Sequence, residues 1–129
     1  MKRINISSNT IWEENVAYSR AVRIGNIVEV AGTTAVNEKG EVIGVGDPYA
    51  QTKFIFEKME KALQQAGTSL NDTIRTRIYV SDISHFEAIG KAHYEAFKNV
   101  KPACTMLEIS ALVNPDLLVE IELSAVIQD

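Results

Sequence analysis

The residues of this sequence that could do chemistry are one thiol, a pair of glutamates, two alternating arginines, a histidine and a phenol. Cys104 follows Pro102-Ala103 and opens an extended run. As a thiolate it would be a nucleophile, which needs a cation or base beside it; otherwise it is a small buried hydrophobe. Glu120 and Glu122 stand two apart in an alternating run, so they share one face of a strand. A carboxylate in a cleft can hold and deprotonate a water as a general base. The pair can equally form a solvated or ion-paired face, since glutamate is almost never buried unpaired. Arg75 and Arg77 alternate in the same way and are either partners for those glutamates or anion ligands. His93 is a helix-stripe residue with a satisfied ring or a proton carrier. Tyr18 is either core or the wall of a pocket with one wet end.

Most dedicated chemistries are excluded by spacing. The glycines at 25, 32, 40, 44, 46, 67 and 90 form neither GxGxxG nor GxxxxGK[ST]. His85 and His93 lie eight apart and the cysteine is alone, so no metal-ligand spacing exists. No GxSxG frames a nucleophilic serine. A chain of 129 residues with 46% hydrophobic and 23% charged residues is one globular domain with a core that needs no staple. The net charge of −4 argues against nucleic acid as a partner. A single cysteine, no apolar leader and no run approaching a membrane span give the expectation of a cytoplasmic protein with no membrane partner.

The elements that must position these groups are legible from turns and periodicity. Ile4 and Ile6 alternate with polar neighbours and suggest a first strand. Residues 20 to 24 and 26 to 34 read as a hairpin around Gly25-Asn26. In its second arm Ile27, Glu29 and Ala31 point one way, and Val28, Val30 and Gly32 the other. Asn37-Glu38-Lys39-Gly40 is a turn. Asp47-Pro48 opens a helix whose stripe is Tyr49, Phe56, Met59, Leu63 and Ala66, with Gly67 as its stop. A strand covers Thr73 to Val80, with Ile74, Ile78 and Val80 opposite Arg75, Arg77 and Tyr79. Ser84 with Glu87 marks the start of a second helix, striped by Phe86, Ile89, His93 and Phe97 and ended by Lys101-Pro102. Strands at Cys104 to Ser110 and Leu117 to Ile127 complete the chain. The expectation is an α+β two-layer domain over residues 1 to 129, with about six strands in a mixed sheet and two helices on one face. The other face, with Glu120 and Glu122, is open to water or meets another copy of the chain.

The order and spacing of Tyr18-Ser19-Arg20-Ala21-Val22, Gly25-Asn26, Ala31-Gly32, Gln51-Thr52, Ala66-Gly67, Val80-Ser81-Asp82, Phe86, Lys101-Pro102-Ala103, Glu108 and Val119-Glu120-Ile121-Glu122 resemble the reactive intermediate deaminase (Rid, or YjgF) family. The resemblance runs from about Tyr18 to the C-terminus. It implies a chorismate-mutase-like fold, a homotrimer with three clefts between neighbouring chains, a small imine or carbonyl metabolite as ligand, and no cofactor. The activity it implies is hydrolysis of 2-imino or 2-enamino acids to 2-oxo acids and ammonia. Carried over residue by residue, it makes Glu120 the group that positions water. Tyr18, Ala31, Gly32, Thr33, Phe86 and Thr105 become ligand-binding residues. Cys104 stands where the best-known branch has an arginine that clamps the substrate carboxylate, and Gly90 where it often has asparagine. A thiol is no planar charged fork, and loss of a bidentate charge-assisted pair costs on the order of 3 kcal/mol.

Two functions are compatible with these residues. One is a Rid-type hydrolase of a small imine or enamine, working through Glu120 and either water or the Cys104 thiolate. Its ligand either lacks a carboxylate or meets it with another cation such as Arg20, Arg77 or Lys101. The other is a non-catalytic trimer that binds a small molecule. A ribonuclease or translation inhibitor is the third reading, and the acidic chain makes it poor for RNA.

Overall fold

A computed structural model describes residues 1–129. Strand β1 covers Arg3–Ile6, helix α1 Ile11–Val16, β2 Ala21–Ile24, β3 Ile27–Thr33, α2 Pro48–Gln65, β4 Thr73–Val80, α3 Phe86–Phe97, β5 Ala103–Glu108 and β6 Val119–Val126. The six strands form one sheet in the order β1-β2-β3-β6-β4-β5. Only β4 and β5 pair in parallel, which the crossover through α3 makes possible. The remaining pairs are antiparallel.

Helix α2 forms where the sequence signals stand. The Asp47 side chain accepts from the Ala50 amide at 3.0 Å, and Pro48 takes the first helical position. Gly67, at φ 90°, ends it: its amide donates to Gln64 and the Thr68 amide to Leu63, a paired C-terminal cap. Ile55, Phe56, Met59, Ala62 and Leu63 make its buried stripe, packed across β3 and β6. Tyr49 is not in that stripe; it lies one turn early and its hydroxyl donates to Glu95 of α3 instead. Below the helices sit Val28, Val30, Ile78, Val80, Val119, Ile121, Leu123 and Ala125, one sheet face and one core. Phe56 and Phe97 close it edge to face, 5.1 Å between centroids.

The structure corrects the sequence reading in several places. There are three helices, since α1 forms in the polar segment before the hairpin; Thr10 caps it by accepting from the Glu13 amide. The Ser84–Glu87 cap does not form. Asp82 accepts from the Ser84 amide, a 3-10 turn fills Ile83–His85, and α3 begins at Phe86, which is exposed rather than part of the stripe. Ile74 is exposed because the β4–β6 register slips between Thr73 and Arg75, so Thr73 turns inward in its place, while Thr76 stays on the buried face with Ile78 and Val80. A second slip lies between Val30 and Thr33. There two residues, Ala31 and Gly32, oppose Glu122 alone. Gly32 therefore leaves the Val28–Val30 face and Thr33 joins the core.

Candidate functional site

The face away from the helices carries the polar groups. Glu120, Glu122 and Ser124 of β6 alternate with the buried Val119, Ile121 and Leu123. Arg77 of β4 pairs Glu122 in register, with Nε 3.9 Å from its Oε1, and the Tyr79 hydroxyl donates to that same oxygen at 2.8 Å. Ser124 donates to Glu29 of β3 at 2.6 Å. Glu122 and Glu29 are thus engaged.

Glu120 is not. It is half-buried and makes neither a hydrogen bond nor an ion pair, and its carboxylate rests against the bare Cα of Gly32. Burial raises its pKa and the charge of Glu122 adds to this, while the Arg20 guanidinium opposes both. A carboxylate with free lone pairs and a pKa moved toward neutrality is fitted to hold a water and take its proton.

Beside it stands a cluster that sequence reasoning did not resolve. Arg20, just before β2, is 8% exposed. Its Nη1 donates to Thr33 Oγ1 at 3.1 Å, and its guanidinium carbon lies 5.7 Å from the centroid of the Tyr18 ring. Thr33 donates onward to the Ala31 carbonyl at 2.8 Å, which ties the bulge to this arginine. Lys58 of α2 donates to the carbonyls of Thr34 and Val36 at 3.0 and 2.9 Å. Burial first, and the Arg20 charge second, lower its pKa to about 8 against the opposing pull of Glu13. Glu13 of α1 accepts from the hydroxyls of Ser7, Ser8 and Thr10 and from the Ser8 amide. These bonds outweigh its burial and lower its pKa. The sequence offered Arg20 as one candidate cation among Arg20, Arg77 and Lys101, with nothing to mark it as buried. Nothing marked Lys58, because lysine at a helix position usually faces water.

The expected site residues fall into two groups. Tyr18, Ala31, Gly32, Thr33 and Glu120 gather around β3 and β6, with Thr33 contributing a fully buried hydroxyl from below. A cavity of about 650 Å³ on this face is lined by Tyr18 and Ala31 together with Glu29, Arg77 and Glu122, and Glu120 is not part of its lining. Phe86, Cys104 and Thr105 lie at the other side of the molecule. Thr105, on the edge strand β5, accepts from Arg75 Nη2 at 2.6 Å on the open face. Three strand spacings, about 14 Å, separate it from Gly32. Cys104 is exposed and pairs Thr76, whose hydroxyl is buried against His93 Nε2 at 2.9 Å. Its side chain therefore leaves the sheet on the helix side, opposite to Glu120. Within one chain the thiol and the carboxylate are not brought together. His93 packs between Phe56 and Phe97, and burial lowers its pKa. No three histidine, cysteine or carboxylate side chains converge to hold a metal.

Comparison with known proteins places this geometry. The family model described as endoribonuclease L-PSP matches residues 10–127. A crystal structure of Rv2704 from Mycobacterium tuberculosis, described as a member of the YjgF/YER057c/UK114 family, superposes with a TM-score of 0.89. Its identity is 45%, over 98% of this chain and all of that one.

The chain belongs to the Rid (YjgF) family.

Among curated Rid relatives, a 3-aminoacrylate deaminase RutC from Acinetobacter baylyi is 36% identical over 104 residues, 81% of this chain and 82% of its own length. A RutC family protein from Pyrococcus abyssi is 37% identical over 106 residues, 81% of this chain and 82% of its length. The six-stranded mixed sheet with α2 and α3 on one face is the Rid fold, as the sequence pattern led us to expect, and α1 is the addition to that expectation.

Proposed function

We propose that the protein is a deaminase-type hydrolase of a small reactive imine or enamine, working without a cofactor in clefts between the chains of a homotrimer. The observation that carries this reading is the Glu120 carboxylate: half-buried, unpaired, braced on Gly32 and raised in pKa. In the reaction a water adds to the carbon of the C=N bond and gives a proton to Glu120. The carbinolamine then collapses to a carbonyl as the nitrogen, protonated in turn, leaves as ammonia. The 3-aminoacrylate deaminase relative supports this class of chemistry.

The division of the site supports the trimer. One side of the sheet carries Tyr18, Gly32 and Glu120, and the far edge carries Phe86, Cys104 and Thr105, so a single chain holds two half-sites that neighbours would join. The open face sets Glu29, Glu120 and Glu122 beside Arg75 and Arg77, and a net charge of −4 counts against a polyanionic RNA substrate. The second reading, a non-catalytic trimer that binds a small molecule, draws on Cys104, which cannot replace an arginine clamp.

An imine-hydrolysis assay tests the proposal. An amino-acid oxidase generates 2-iminobutyrate and semicarbazide traps what is not hydrolysed, for wild type beside Cys104→Arg. Reduced trapping by wild type supports the hydrolase, activity in Cys104→Arg alone means an intact cleft tuned to a different ligand, and silence in both favours the binding trimer. Sedimentation equilibrium at three chain masses supports the intersubunit cleft, and a monomer removes it.

A further inference from the structure

Lys58 points from α2 toward the end of β3 and gives its ammonium to main chain rather than to a carboxylate. Nζ donates to the carbonyls of Thr34 and Val36 at 3.0 and 2.9 Å, and no carboxylate lies within ion-pair distance of it. Both bonds go to one tight turn. The Val36 amide returns to the Thr34 carbonyl at 2.9 Å, and Ala35 between them is fully buried. Withdrawing an ammonium from water and fixing its flexible stem is costly, so this is an unusual use of a helical lysine. The turn it holds follows Thr33 directly, at the point where β3 ends.

The residues just before that turn need holding. Register with β6 is lost between Val30 and Thr33, so no partner on β6 fixes Ala31 or Gly32, and the chain re-enters the ladder at the single pair Thr33–Ile121. Glu120 leans on Gly32, its Cδ 3.1 Å from where a Cβ would stand. A small outward shift of Gly32 therefore opens the carboxylate to water.

We propose that Lys58 is a positioning residue for Glu120: through the Thr34–Val36 turn it holds the β3 bulge, and with it Gly32, against the carboxylate. This rests on the reading of Glu120 above and deepens it, because a side chain on the helix face then sets how buried the base on the open face is. Lys58 itself is faced by Arg20 before β2, by Glu13 of α1 and by the two carbonyls of the turn. Glu120 is faced by Arg20, by Glu122 on its own strand and, in register on β4, by Tyr79, whose hydroxyl is given to Glu122. Arg20 and Glu122 are the charges that move Glu120, and Lys58 is not one of them. The sign of a substitution is therefore informative. Loss of a positive charge acting through space would raise the pKa of Glu120 or leave it unchanged. Loss of the strap exposes the carboxylate, and burial is the first cause of its raised pKa, so the pKa falls.

The test is the ¹³C carboxyl titration of Glu120, assigned with Glu120→Gln, in wild type, Lys58→Met and Lys58→Gln. Methionine keeps the stem and the helix preference; glutamine keeps a donor but falls short of the turn. The wild-type ammonium stays charged below about 8, so the strap is whole throughout the titration. In both variants the pKa of Glu120 falls by about half a unit or more, and kcat drops roughly tenfold with KM little changed. Where Lys58→Met does not fold, Lys58→Gln decides. An unchanged or raised Glu120 pKa in the variant that folds overturns the proposal, as does a wild-type Glu120 that titrates like an ordinary glutamate. A fall without any hydrolysis by wild type removes the hydrolase and leaves Lys58 as the support of Glu120. Hydrolysis by wild type without a fall in the variants removes the strap and leaves the hydrolase.

Discussion

Glu120 and Gly32 meet across the β3–β6 pair so closely that a Cβ on Gly32 would overlap Oε2 of the carboxylate and lie 3.1 Å from its Cδ. The contact exists because the bulge at Ala31–Gly32 turns the glycine onto the open face, directly under the neighbouring strand's side chain. Any side chain there moves the carboxylate. Gly32→Ala is therefore expected to lower kcat/KM about a hundredfold, the scale of a 1 Å misplacement of a catalytic group. Gly32 has no positive φ, so Tm should change little. Steady-state kinetics beside a thermal melt checks this, and an active Gly32→Ala would deny the contact a role.

The raised pKa of Glu120 fixes the sign of the acid limb. Burial favours its neutral form, so as pH falls the base is protonated and activity is lost at a higher pH than an ordinary glutamate near 4.3 would give. Arg20 holds that value down, and Arg20→Gln moves the limb of kcat/KM further toward neutrality. A limb at or below the ordinary value in wild type would contradict this.

Cys104 leaves the sheet on the side opposite to Glu120 in the same chain, beside the buried Thr76. The proposed hydrolysis uses water as the nucleophile and no thiol, so Cys104→Ser is expected to keep turnover within about twofold. Loss of activity together with loss of a trapped covalent adduct would assign the step to the thiolate.

Lys58 gives the fold its own pH dependence. The unfolded chain holds this proton up to about 10.5 and the folded chain releases it near 8. Between those values the unfolded state binds more protons, so folding gains stability as pH rises through the window. Below it both states are charged and the dependence vanishes. The stability difference between wild type and Lys58→Met, from urea unfolding at pH 7.5 to 10.5, should move in favour of wild type by the upper end. A flat difference would show that Lys58 keeps an ordinary pKa.

Much of the fold could be read ahead because its signals are local. Gly25-Asn26 makes the hairpin, Asp47-Pro48 and Gly67 bound α2, and alternation along β6 separates Ile121 from Glu120. What escaped was set by pairing between distant strands. Both register slips depend on what lies across the sheet, so Ile74 and Gly32 were assigned to the wrong faces. Helix α1 has six residues and is held by a knot of hydroxyls on Glu13, which no periodicity displays. Of the candidate site, Tyr18, Gly32 and Glu120 were legible, because a recognisable motif order carried them. Arg20 and Lys58 were missed as parts of one cluster, since their burial comes from the meeting of β2, β3 and α2.

The measurement that reaches the central claim most directly is the imine-trapping assay run with wild type and Glu120→Gln side by side. The substitution keeps size and removes the base. The account predicts hydrolysis by wild type and a loss of at least about a hundredfold in Glu120→Gln, the scale of one general base. Equal turnover by the two proteins would contradict it.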